Sequence, residues 1–125
     1  MAHEQILVVD DERDIVEIIC DFLQGEGYRT LAAYDGGQAL EALNRYHPDA
    51  VILDIKMPVL DGLEVIRQLR ANPKLTSTPV IVLTATQVIR ESEERFRQLK
   101  VATWMAKPFE PVDLLNAVAK ALQHG

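Results

Sequence analysis

The sequence predicts an α/β fold, a mostly parallel five-stranded sheet with helices on both faces. Three observations predict it. Short apolar and β-branched runs alternate with stretches whose apolar residues recur at helical spacing, five times over. Residues 6–9, 51–53 and 80–83 are almost unbroken apolar runs, which suits central strands covered on both faces. No repeat, low-complexity tract or linker interrupts the alternation.

Gln5–Val9 reads as the first strand. Ile15, Ile18, Ile19, Phe22 and Leu23 then recur at helical spacing across residues 12–24, and the Gly-Glu-Gly at 25–27 stops that helix. Residues 28–33 form the second strand, and the Asp-Gly-Gly at 35–37 opens a helix carrying Ala39, Leu40 and Leu43. Ala50–Leu53 is the third strand; Leu63, Ile66 and Leu69 mark the third helix. A loop over residues 72–79 leads to the fourth strand, Val80–Thr84. A charged helix over 88–99 and a fifth strand over 101–105 follow. Pro111 suits the first turn of a last helix bearing Leu114, Leu115, Val118 and Leu122.

A chain of 125 residues, 48% hydrophobic and 26% charged, is expected to form one domain with a real core, residues 1–125. Lys and Arg number 13 against 19 Asp and Glu, and the net charge of -6 argues against direct nucleic-acid binding. Apolar runs are far shorter than a membrane span, and the N-terminus lacks a basic start followed by a long apolar stretch. One cysteine, Cys20, excludes an internal disulfide and reads as a small half-buried thiol. A cytoplasmic protein is expected.

The third strand ends on a charge, Asp54, although a carboxylate is costly to bury unpaired. In open parallel sheets, ligands sit beyond the carboxyl ends of the strands. Asp10 and Asp11 end the first strand, Thr84 ends the fourth, and Lys107 and Pro108 follow the fifth. Each has an ordinary alternative. Asp10 and Asp11 would cap the first helix, Asp54 would begin a turn, Thr84 would simply end a strand, and Lys107 would be a solvated lysine. Together they fall on one rim. Three carboxylates stay ionised in one place only with a cation, and an all-oxygen donor set favours Mg²⁺, with Mn²⁺ as a substitute. An acid nucleophile, a divalent ion, a lysine and a hydroxyl are the parts of phosphoryl transfer to a carboxylate.

The ordered segments LVVDDE (7–12), VILDIKMPVLDG (51–62), VIVLTA (80–85) and KPF (107–109) resemble the receiver domain of bacterial two-component response regulators, over nearly the whole chain. The resemblance implies a flavodoxin-like, doubly wound (βα)5 fold with strand order 2-1-3-4-5. It implies that Asp54 accepts a phosphoryl group from a histidine kinase or histidine phosphotransfer protein. Asp10, Asp11, Asp54 and the backbone carbonyl of Lys56 would form the metal site, with Asp10 acting nearby. Lys107 would contact the phosphoryl group, Thr84 would swing toward it, and the Lys107–Pro108 bond would be cis. Pro58 and Gly62 would shape the loop after the acceptor. A downstream protein target would read helix four, strand five and helix five, as a monomer or a phosphorylation-linked homodimer.

This sequence departs from the family pattern at Trp104, where Tyr, Phe or His usually serves as a rotameric switch, and at Lys100-Val101, where Gly-Ala is usual. No turnover of external substrates is expected. A hydrolase similar to the haloacid dehalogenases would need a second acid where Lys56 stands. A flavodoxin-like cofactor binder would need glycine and hydroxyls in its first loop, but DDERD (10–14) repels an anion without a metal. A pseudo-receiver that binds without phosphorylation is a further alternative. No output domain follows, so the chain reads as a stand-alone regulator or a receiver excised from a longer regulator or hybrid kinase.

Overall fold

The computed structural model describes residues 4–124; Met1 and Gly125, which bounded the expected domain, lie outside them. The chain runs β1 (Gln5–Val9), α1 (Arg13–Gly25), β2 (Arg29–Ala33), α2 (Gly36–Tyr46), β3 (Ala50–Leu53), α3 (Gly62–Ala71), β4 (Val80–Thr84), α4 (Thr86–Gln98), β5 (Thr103–Ala106) and α5 (Pro111–His124). One sheet has the order β2-β1-β3-β4-β5, and every neighbouring pair is parallel.

The three nearly unbroken apolar runs are the three central strands. Every residue of β3 and β4 is buried, and so are residues 6–9 of β1, whereas the edge strands β2 and β5 are partly exposed. Period-two alternation divides their side chains between two cores. Leu7, Val9, Val51, Leu53, Val80 and Val82 pack with Leu43 of α2, Ile66 of α3 and Phe96 of α4. Ile6, Val8, Ala50, Ile52, Ile81 and Leu83 pack with Ile19 of α1 and Val118 of α5.

Helix ends rule out one of the ordinary alternatives and explain one difference from the sequence expectation. The N-cap of α1 is Glu12, with no side-chain cap, so neither Asp10 nor Asp11 caps that helix. Asp35 and Asp61 do cap, each accepting the backbone N–H three residues on, from Gln38 at 2.7 Å and Glu64 at 3.0 Å. The fifth strand begins at Thr103 rather than at residue 101. Lys100 takes a left-handed φ of 57°, and the N–H of Val101 turns back to the Phe96 carbonyl at 2.9 Å. Val101 therefore completes the α4 cap before β5 pairing starts at Ala102, whose N–H donates to the Val80 carbonyl.

Candidate functional site

The chain goes from β1 outward to β2 and then returns past β1 to β3, so the winding of the chain across the parallel sheet reverses between β1 and β3. A crevice opens at the carboxyl ends of such a pair. Asp10 follows β1 and Asp54 follows β3. The Asp54 N–H donates to the Val9 carbonyl at 3.0 Å, and the Asp10 N–H to Ala33 at 3.2 Å. The ladder thus carries both backbones to the same rim, where the two side chains converge. Asp10 and Asp54 are 3% and 7% exposed, which makes them the two buried acids of the described residues. Asp11, beside them, is exposed.

One carboxylate oxygen from each of Asp10, Asp11 and Asp54 lies within 4.8 Å of the others. Lys107 enters from the far side. Its N–H donates to the Thr84 carbonyl at 2.8 Å, and its Nζ lies 2.7 Å from Asp10 Oδ2 and 2.9 Å from Asp54 Oδ2. The other Asp54 oxygen accepts the N–H of Ile55 at 2.7 Å, and Asp10 Oδ1 accepts that of Glu12 at 3.0 Å. These groups form a charge-assisted network in which every buried carboxylate oxygen has a partner.

The remaining expected residues take different places. Thr84 is buried at the end of β4, one strand from Asp54, and its hydroxyl is not among the hydrogen-bond partners of the acidic cluster. Lys56 and Pro58 lie exposed on the loop after β3. Gly62 is buried under that loop, where a Cβ would stand 2.8 Å from Ile55 Cα. The Lys107–Pro108 bond is cis. Trp104 is not drawn to the rim: it pairs with Val82 and lies against Phe96 of α4, with ring centroids 5.4 Å apart. Glu12 was missed. Its carboxylate stands 3.5 Å from Lys107 Nζ, and an exposed acid after two acids gave no signal of that contact.

An oxygen-only acidic cluster crossed by one partly buried lysine, at the point where a 2-1-3-4-5 sheet changes its winding direction, is the arrangement of a receiver-type domain. The chain belongs to the response regulator receiver domain family, whose model matches residues 6–119. It is 36% identical over 125 residues to sporulation initiation phosphotransferase F of Bacillus subtilis, covering 98% of this chain and 96% of that protein. It is 35% identical over 125 residues to the DNA-binding response regulator MtrA of Mycolicibacterium smegmatis, covering 97% of this chain and 51% of that one. Chemotaxis response regulator CheY4 of Vibrio cholerae superposes with a TM-score of 0.88 at 29% identity, covering 96% of this chain and 99% of that chain.

The chain therefore spans about half the length of a relative such as MtrA, and nearly all of others. The acidic balance speaks for these residues alone, because one longer relative is by name DNA-binding. No described helix is long and apolar enough to cross a membrane.

Proposed function

We propose that this chain is a phosphorylation-dependent switch whose phosphoacceptor is Asp54. The observation that carries the reading is Lys107 Nζ held between Asp10 and Asp54, at 2.7 and 2.9 Å, where three carboxylates meet. Such a cluster needs positive charge, and one ammonium does not neutralise three acids.

The donor would be a phosphohistidine on a histidine kinase or histidine phosphotransfer protein. An Asp54 oxygen attacks phosphorus in line with the P–N bond. That bond breaks, its electron pair stays on the imidazole nitrogen, and Asp54 becomes an acyl phosphate. Asp10, Asp11, Asp54 and the Lys56 carbonyl would hold Mg²⁺, or Mn²⁺, and the all-oxygen donor set fits a hard cation. Bound there, the ion supplies charge against the phosphoryl oxygens. Lys107 exchanges its Asp54 contact for a phosphoryl oxygen and keeps Asp10. Thr84, one strand away, would turn its hydroxyl toward the same group. The chain's product is then a conformation read by a downstream protein at α4, β5 and α5.

The test is intact mass after incubation with Mg²⁺ and acetyl phosphate. One phosphoryl group should be gained by the wild type and lost in Asp54→Asn and in a chelated control. Labelling that survives Asp54→Asn would move the site. No labelling under any condition would favour the pseudo-receiver, with the acidic rim used for binding.

A further inference from the structure

The loop after Asp54 is closed at three points. Val59 has φ of 73°, and across it the Leu60 N–H donates to the Pro58 carbonyl at 2.8 Å. This is a γ-turn of the positive-φ kind, rare and strained, and a β-branched residue makes it more so. Val59 is 81% exposed, so little burial offsets that strain. At the second point the Gly62 N–H donates to the Ile55 carbonyl at 2.8 Å. At the third, Leu60 sits on Gly36, the first residue of α2. A Cβ at position 36 would stand 2.6 Å from Leu60 Cβ and 2.8 Å from its carbonyl carbon, far inside contact distance.

Gly36 is buried and has no left-handed φ, so its backbone alone would accept alanine, the better helix former. Its lack of a side chain is a packing requirement. Gly37 is the internal contrast. A Cβ there would meet only side-chain atoms, Asp35 Oδ1 at 3.3 Å and Val59 Cγ1 at 3.7 Å.

We propose that Gly36 is a positioning residue for the phosphoacceptor site. By letting Leu60 seat on the start of α2, it holds a strained loop closed and so fixes the Lys56 carbonyl, the metal ligand proposed above, two residues after Asp54. Left to itself, the γ-turn at Val59 would relax toward negative φ and carry the loop outward. The inference rests on the reading of Asp54 as phosphoacceptor.

The test compares the full chain with Gly36→Ala and Gly37→Ala. Calorimetric Mg²⁺ titration and the rate of labelling by acetyl phosphate are measured where circular dichroism shows each variant folded. Gly36→Ala should raise the Mg²⁺ dissociation constant about tenfold, as displaced support of a metal site does, and slow labelling at saturating Mg²⁺. Gly37→Ala should match the wild type in both. A merely structural role would lower the unfolding midpoint of Gly36→Ala and leave both quantities unchanged. That result, or equal losses in the two variants, overturns the inference and leaves the role of Asp54 intact. A wild type that never labels overturns both. If Gly36→Ala does not fold, amide shifts of the wild type decide. Gly36 and Gly62 moving together with one Mg²⁺ dissociation constant supports the inference, and a still Gly36 overturns it.

Discussion

Asp10 and Lys107 show what gathering charge at one rim costs. Burial alone would lower the Lys107 pKa, but hydrogen bonds to Asp10 and Asp54 and the charges of both push it well up, so the ammonium persists at all ordinary pH. Burial pushes the Asp10 carboxyl up as well, despite hydrogen bonds from Lys107 and from the Glu12 backbone. The ion pair thus does not fully replace the water that Asp10 loses. An acid with a raised folded value binds protons more readily folded than unfolded. Stability therefore falls as pH rises from the ordinary aspartate value through the raised one, and the whole cost is present near pH 7. Asp10→Asn removes it and leaves Lys107 with Asp54 and Glu12. Without metal, that variant should be more stable by about 1 kcal/mol, roughly 4 °C in unfolding midpoint, near neutral pH. The gap should narrow toward about pH 4 as the wild-type carboxyl protonates, and Mg²⁺ affinity should fall. Equal midpoints at neutral pH would mean that Lys107 compensates fully. Asp54 was legible in the sequence because it breaks an apolar run. Gly36 was read only as a helix opener, because the atoms that require it belong to Leu60, far along the chain.

At the scale of elements, α1 and α4 end in the same way with different residues. Gly27, at φ 96°, closes α1 with Tyr28 N–H donating to the Leu23 carbonyl; Lys100, at φ 57°, closes α4 with Val101 N–H donating to Phe96. The glycines at 25–27 announced the first stop. A lysine in the left-handed region announces nothing, which is why the fifth strand was expected two residues early. Relief of about 1–2 kcal/mol of left-handed strain should outweigh the extra freedom glycine gives the unfolded chain. Lys100→Gly is therefore expected to stabilise the protein by about 0.5–1 kcal/mol in urea unfolding. No gain would mean that the lysine side chain contributes as much as its backbone loses. Arg70 secures the same corner. Its guanidinium donates to the carbonyls of Leu99 at 2.8 Å, Lys100 at 3.2 Å, Thr76 at 3.0 Å and Thr78 at 2.6 Å, tying the α4 end to the α3–β4 loop. Arg70→Met keeps the stem but leaves these carbonyls to water. It should cost about 2–3 kcal/mol and speed amide exchange at Val101 and Ala102. Exchange unchanged there would assign the clamp no role. The sequence hid this because two of the partners lie 29 and 30 residues away.

Across the whole molecule, the acidic rim and the α4 surface are joined through β5. The unbroken apolar runs made the central strands legible, and the period-two alternation carried the two cores. The strand order followed from the ordered motifs, since periodicity alone does not rank neighbours. The link between site and surface is a matter of contacts. Lys107 follows β5 directly; Ala106 pairs with Thr84, and Trp104 pairs with Val82. The Trp104 ring then lies against Phe96, and the Arg97 guanidinium carbon stands 5.7 Å from its centroid. A pull on Lys107 and Thr84 at the rim is thus two residues of strand away from an aromatic contact with α4. Trp104 is the only tryptophan, so its emission reports that contact. Phosphorylation of the wild type should shift Trp104 emission, because the acyl phosphate would draw Lys107 and Thr84, and the paired β4 and β5 lead from both to Trp104. Lys107→Ala should still gain one phosphoryl group with Mg²⁺, since Asp54 and the acidic cluster remain, but its emission should stay that of the unmodified protein. A wild-type-like emission change in phosphorylated Lys107→Ala would route the signal elsewhere, and Thr84→Ala would then be the variant expected to lose it.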